Sequence, residues 1–246
     1  TGWSKNFLKN LVFKAILNRA DRIIVNSLEF KKELKRRFQV NAKCIYNPLN
    51  SKEVIKKSKY FFPEIFKNKK SLKIINIGRY TEQKDQMTLL KGLKVLDKKI
   101  DYEAVIIGKG FLKDRLINYS QNNGLKNKIK FINFISNPYP LIKQADIFVL
   151  SSAYEGLPNV LLEALTLNKF IISTNCPTGP KEILLNGKGG LLFKVGNYKE
   201  LANKIVYYLK NKKKCQTKLK NAHNQLYRFD YSSNLLKYLN LINELI

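Results

Sequence analysis

Histidine, cysteine and acidic side chains are all scarce in this chain, and each shortage removes a kind of chemistry. His223 is the only histidine and lies in a Lys- and Asn-rich helical stretch far from any motif, so it reads as a surface residue rather than a base or ligand. Cys44, Cys176 and Cys215 are widely spaced, odd in number and form no C-x-x-C pair, which argues against a disulfide framework and for a reduced, cytoplasmic setting. No apolar run approaches the ~18 residues that would span a bilayer, and these residues show no charged-then-apolar secretory pattern. The sequence has no G-x-x-x-x-G-K-[ST], no G-x-S-x-G and no H-E-x-x-H, so phosphate-loop, hydrolase-elbow and zinc-protease chemistries are not indicated. Asp-x-Asp is also missing, and no metal-held diphosphate is expected.

Positive charge is abundant. Lys and Arg number 46 against 18 Asp and Glu, a formal net charge of +28. That balance favours an anionic partner such as phosphate, nucleic acid or an anionic membrane surface, and does not choose among them. Much of the lysine alternates with Asn and Ile, as in DKKID, so compositional bias accounts for the charge equally well. With 44% hydrophobic and 11% aromatic residues, no low-complexity tract and no long repeat, the chain reads as globular, large enough for one big domain or one and a half smaller ones.

The first 19 residues predict a helix with Trp3, Phe7, Leu8, Leu11, Val12 and Ile16 on one side and Lys5, Lys9, Lys14 and Arg19 elsewhere. Such a helix fits an anionic membrane surface or ordinary packing on a sheet. RIIVNS, a charged helix over 28–38 and AKCIYNP form a β-α-β piece with too few strands for its own sheet, and 49–71 reads as a connection. From Leu72 onward strands and helices alternate: KIINIG, EAVIIG, KIKFI, DIFVLS, FIIST and GGLLF are separated by helical segments. Alternation of this kind predicts an α/β, doubly wound parallel sheet, whose ligand-bearing loops lie beyond the strand carboxyl ends at 78–85, 108–111, 133–138, 151–158 and 175–180.

Those loops carry the candidate site. Glu155 and Glu163 bracket EGLPNVLLE, with Glu163 set among Val160, Leu161, Leu162 and Leu165, where an ionised carboxylate is costly unless donors meet it. Adjacent hydroxyls of a ribose or sugar could do so, although two Glu near a helix start could also merely complement the helix dipole. Arg79 and Lys84, at a strand end before a helix, suit a diphosphate, but basic pairs are cheap in so basic a chain. Gly108-Lys109-Gly110 suggests a tight turn that brings backbone close to a ligand, though the G-x-G-x-x-G pattern fails at Lys113. Pro158 is expected as the first helical residue, with free amides around Asn159 and Val160 and a permissive Gly156 before it.

Taken in order, GRYTEQKD, VIIGKG, FISNPYPLIKQADIFVLSSAYEGLPNVLLEAL and ISTNCPTGPKEIL resemble the nucleotide-sugar-binding half of retaining glycosyltransferases of family 4, which have the two-domain GT-B fold. The resemblance implies that Glu155 contacts the donor sugar, Glu163 holds the ribose, and Arg79 and Lys84 bind the donor diphosphate. It also implies a base pocket near Phe134 and Ile135, with Gly108, Gly156, Leu157, Pro158, Asn159 and Val160 completing the donor site. The implied reaction moves a hexose or N-acetylhexosamine from a UDP-sugar to a hydroxyl of a lipid-linked glycan, lipopolysaccharide or capsular chain, with retention and without metal or cofactor. Arg79, Lys84 and Glu155 would act on the reacting groups.

By the same resemblance, residues 1–50 correspond to the end of an acceptor domain, 51–70 to a linker, 71–228 to the nucleotide-sugar-binding domain and 229–246 to a crossover helix. Because the chain begins with Thr1, a fragment lacking its upstream part is expected, one that alone binds UDP-sugar weakly and transfers little. A cytoplasmic protein, peripheral on the inner face of a bacterial membrane, fits this reading, and no nucleic-acid partner is expected. The competing readings are a UDP-sugar-binding module without transfer activity, a basic nucleic-acid-binding protein and a UDP-sugar epimerase.

Overall fold

The computed structural model describes residues 7–245. Trp3 and Lys5 therefore lie outside the described residues. The first part of the chain comprises α1 (Phe7–Asn18), β1 (Ile24–Val25), α2 (Leu28–Phe38), β2 (Lys43–Cys44) and α3 (Ser51–Lys57). It is followed by β3 (Leu72–Ile77), α4 (Gln86–Leu96), β4 (Tyr102–Ile107), α5 (Lys113–Asn122), β5 (Ile129–Ile132) and α6 (Tyr139–Gln144). Then come β6 (Ile147–Leu150), α7 (Asn159–Thr166), β7 (Phe170–Thr174), α8 (Pro180–Ile183), β8 (Leu191–Phe193), α9 (Tyr198–Lys210), α10 (Lys212–His223) and α11 (Tyr231–Asn243).

Strands β3 to β8 form one parallel sheet in the order β5-β4-β3-β6-β7-β8. Helices cover both faces, so the central strands are continuous apolar runs: Ile74 and Ile75 of β3 and Ile147, Phe148 and Val149 of β6 are all fully buried. The order reverses between β3 and β6, and a crevice opens there beyond the strand ends. Asn76, buried in β3, donates Nδ2 to the Val149 carbonyl at 2.8 Å and thereby joins the two strands that flank this crevice.

The first part has its own small core of Val25, Leu34, Phe38, Val40 and Ala42 beneath the two-stranded parallel sheet β1-β2. Phe13 and Leu17 are the α1 side chains that pack on it. The expected apolar side of that helix is thus not the packed one: Leu8, Leu11, Val12 and Ile16 are all more than half exposed. Polar contacts hold the first part to the large sheet. Glu182 of α8 accepts from Tyr46 Oη at 2.5 Å and from the Leu28 amide at 3.0 Å, and Asn47 Nδ2 donates to Asn159 Oδ1 at 2.8 Å.

Two other expectations need correction. The stretch 49–71 is not wholly a connection, because Asn50 caps α3, accepting from the Glu53 amide at 3.0 Å. Pro158 precedes α7 as its cap instead of opening it, with an extended ψ of 97°. Among the described residues no helix is long and apolar enough to cross a membrane. His223 is exposed at the end of α10, as expected.

Candidate functional site

The loop after β3 is held from below. Tyr80 is fully buried and donates its hydroxyl to the Ile106 and Ile132 carbonyls at 3.0 and 3.1 Å, pinning the loop to neighbouring strand ends. Gln86, at the start of α4, donates Nε2 to the Arg79 carbonyl at 3.0 Å, and Asp85 caps the helix by accepting from the Thr88 amide at 3.1 Å. Gly108 and Gly110 serve this packing. A Cβ on Gly108 would collide with the Gly78 carbonyl, and one on Gly110 with the Tyr80 carbonyl. Their freedom lets the two loops touch each other, while Gly108 also lines the crevice.

Across the crevice, the loop after β6 is joined to the first by Ser151, whose hydroxyl donates to the Lys84 carbonyl at 2.9 Å. Glu155 closes the crevice. Its Oε1 lies 2.6 Å from Lys84 Nζ and accepts from Ser152 Oγ at 2.6 Å, and its side chain is only 6% exposed. Lys84 is therefore not a free cation beside Arg79; it neutralises Glu155. Among the described residues the Arg79 side chain hydrogen-bonds only to Gln83, at 3.3 Å, and it lines the opening.

The backbone of Glu155 is fastened as firmly as its side chain. Thr178 Oγ1 donates to the Glu155 carbonyl, and the Glu155 amide donates to the Pro177 carbonyl at 3.4 Å. Gly179, at φ +80°, sits under this turn: a Cβ would collide with the Gly156 carbonyl and lie 2.6 Å from Pro158 Cδ. Gly179→Ala is expected to cost about 2 kcal/mol or more of stability through overpacking and left-handed strain. Urea unfolding would measure it, and a change under about 0.5 kcal/mol, the size of an ordinary surface effect, would contradict the tight packing.

Glu163 projects from α7 into the same space, largely buried. Tyr139 Oη, 3.4 Å from Oε1, makes the only hydrogen bond to this carboxylate among the described residues. Burial raises its pKa, and the single tyrosine bond opposes that only in part. The Tyr139 hydroxyl is in turn pushed up to about 12, by burial first and by the adjacent Glu163 second. Among the described residues the amides of Asn159 and Val160, at the start of α7, have no backbone acceptor.

Arg79, Lys84, Gly108, Phe134, Ile135, Glu155, Leu157, Pro158, Asn159, Val160 and Glu163 all line one cavity of about 590 Å³. Gly156 alone of the predicted set does not, since its Cα faces Asn26 on the opposite side. Sequence reasoning missed Tyr139, which comes directly after Pro138 at the start of α6, and gave Lys109 no role of its own. Lys109 sits 5.3 Å from the ring centroid of Phe134, an aromatic left 63% exposed on the cavity wall. No three His, Cys, Asp or Glu side chains gather to form a metal site among the described residues.

The arrangement brings a half-satisfied carboxylate, the amides at the start of α7 and the Arg79 cation to one parallel-sheet crevice, groups able to meet the hydroxyls and anionic oxygens of a ligand. The family model "Glycosyl transferases group 1" matches residues 58–225, and the chain belongs to that family. An uncharacterised glycosyltransferase of Methanocaldococcus jannaschii is 37% identical over 71% of this chain and 44% of its own length. An N-acetylgalactosaminyltransferase of Campylobacter jejuni, named for its diphospho-undecaprenol substrate, is 27% identical over 96% of this chain and 66% of its own. The chain thus spans about half to two thirds of the length of such relatives. The fold is of GT-B type: the Anabaena protein HepE, solved with UDP and glucose, superposes with a TM-score of 0.81 at 21% identity, over 96% of this chain and 67% of that one. A Rickettsia africae glycosyltransferase gives 0.83 at 20% identity, over 98% and 68%.

Proposed function

We propose that the chain forms the donor side of a retaining glycosyltransferase that moves a hexose or N-acetylhexosamine from a UDP-sugar to a hydroxyl of a lipid-linked glycan, lipopolysaccharide or capsular chain. One observation carries the reading. Glu163 is a partly buried carboxylate that among the described residues accepts a single long hydrogen bond, and it lines a cavity that also holds Arg79, Lys84 and Glu155. A ribose diol supplies two O–H donors to such a group and relieves its desolvation. Arg79 and Lys84 receive the diphosphate, the exposed face of Phe134 takes the base, and Glu155 meets the transferred sugar. The Campylobacter relative and the UDP complex of HepE support the donor and acceptor classes.

In this mechanism the acceptor oxygen attacks the anomeric carbon on the face from which UDP departs. The bond to the β-phosphate oxygen breaks with its electron pair going to UDP, and the acceptor hydroxyl proton passes to that oxygen. Arg79 and Lys84 stabilise the charge that develops there, so no protein nucleophile and no metal are required. The test is to incubate the protein with UDP-sugars and glycolipid acceptors in the presence of a chelator and read the product's anomeric configuration by NMR. A retained α-linkage is expected in the small amount of product this donor side forms alone; an inverted linkage, or transfer only after a divalent cation is added, overturns the proposal.

Glu163 also gives donor binding a pH dependence. Its pKa is raised above 4.5, so the ionised acceptor of the ribose hydroxyls is lost as pH falls through that elevated value. UDP affinity is expected to weaken, as pH falls from neutrality through that elevated value, more than the affinity of 2′,3′-dideoxy-UDP, which carries the same phosphates without the diol. Parallel curves for the two nucleotides in calorimetry would remove Glu163 from the ribose.

A further inference from the structure

A second concavity, of about 470 Å³, lies on the far side of the loop that holds Glu155. One wall is a face of α2. Ser27 caps that helix, and Leu34 and Phe38 turn inward to the small core, which leaves Glu29, Lys32, Glu33 and Arg36, three and four positions apart, along the cleft. Lys181 of α8 faces them, and Pro177 and Thr178 form the floor. Glu33 is already engaged by Arg37 at 3.0 Å. Lys32, Arg36 and Lys181 line the cleft together with Glu29, whose carboxylate accepts from the Thr178 amide and is attracted to Lys181 and Lys32, so three cations face one acid that Arg37 does not already hold.

The floor is also the link to the reaction. Thr178, a β-branched residue, is held at φ +63°, a conformation such residues seldom adopt without compensation elsewhere. The compensation is its hydroxyl bond to the Glu155 carbonyl, reinforced by the bond from the Glu155 amide to Pro177. The same few residues thus floor the basic cleft and fix the carboxylate assigned to the transferred sugar. A group bound in the cleft would lie next to the transfer point, on the side away from Arg79 and the donor diphosphate.

We propose that this cleft binds a phosphate or diphosphate group of the acceptor, with Lys32, Arg36 and Lys181 as its counter-charges. The inference rests on the glycosyltransferase reading above and assigns residues to the acceptor side. A neutral glycan would leave the excess of three cations over Glu29 uncompensated, and a lone carboxylate would offset only part of it. A phosphate or diphosphate offers several oxygens to a guanidinium fork and two ammonium groups together.

The test titrates inorganic pyrophosphate by calorimetry into protein already saturated with UDP, so that the donor diphosphate site is filled. Lys32→Ala/Arg36→Ala/Lys181→Ala is expected to weaken pyrophosphate at least about tenfold and leave UDP affinity within about twofold. Lys212→Ala/Lys213→Ala/Lys214→Ala removes the same charge from the start of α10 and should change neither. Equal losses in the two triple variants, or no loss in the first, overturn the proposal. Sedimentation with phosphatidylglycerol vesicles separates the sources of phosphate: vesicle binding abolished by the first triple, with no heat from pyrophosphate, assigns the cleft to a lipid surface and also overturns it. Failure of the wild type to bind UDP counts against the donor reading, whereas pyrophosphate titrations of the two triple variants without UDP still report on the cleft.

Discussion

Glu163→Gln is expected to weaken UDP binding by about 2 to 4 kcal/mol, roughly thirty- to a thousandfold, while raising the stability of the unliganded protein. The opposite signs come from one fact: the carboxylate is largely buried and has only the 3.4 Å bond from Tyr139. Without ligand, ionised Glu163 is under-solvated, and a neutral amide of the same shape removes that penalty. With UDP bound, the carboxylate would accept two charge-assisted bonds from the ribose, and the amide oxygen cannot replace both. The pH dependence provides an independent check. Because the folded pKa lies above the unfolded 4.5, the native state holds the proton more tightly, and the site's contribution to stability declines as pH rises through the elevated value. The gain from Glu163→Gln should therefore be largest near neutral pH and vanish below about pH 4.5. Thermal melts at several pH values and calorimetry with UDP and 2′,3′-dideoxy-UDP measure both arms. Equal weakening of the two nucleotides, or a lower melting point at neutral pH, would show that Glu163 is a structural residue.

Where an element's periodicity and its burial coincide, the sequence foretells it well. The apolar runs of β3, β4, β6 and β7 are buried on both faces, and the expected helical segments stand between the strands. Local signals fail where burial is slight. Helix α3 buries only Val54, and its announcement is the N-x-x-E cap of Asn50 and Glu53, easily lost in a Lys-rich stretch. In α1 the longer apolar stripe is the exposed one, because Phe13 and Leu17 face the small core. The site was legible as a set of loops, since a parallel sheet gathers the loops after its strands at one edge. Its internal wiring was not. Lys84 and Glu155 stand 71 positions apart and meet only because β3 and β6 are neighbours, and Gly156 turns toward Asn26 because the loop after β7 packs beneath it.

The Lys84–Glu155 pair gives the second large effect, one that separates the cost of breaking a buried ion pair from the cost of losing a phosphate ligand. The two side chains are 17% and 6% exposed and 2.6 Å apart, so neither charge is well solvated without the other. Lys84→Ala leaves Glu155 with Ser152 Oγ as its one side-chain donor among the described residues and is expected to destabilise the fold by about 3 to 5 kcal/mol, visible in urea unfolding. Lys84→Met/Glu155→Gln removes both charges at nearly constant volume and should recover most of that loss, since two desolvation penalties disappear with the attraction. UDP affinity separates the roles, because the double variant keeps the fold but lacks the cation. If Lys84 turns from Glu155 to the diphosphate when the nucleotide arrives, the stabilised double variant binds UDP at least about tenfold more weakly than the wild type and binds uridine unchanged. Wild-type UDP affinity in the double variant would confine Lys84 to holding Glu155 in place and leave Arg79 as the diphosphate cation.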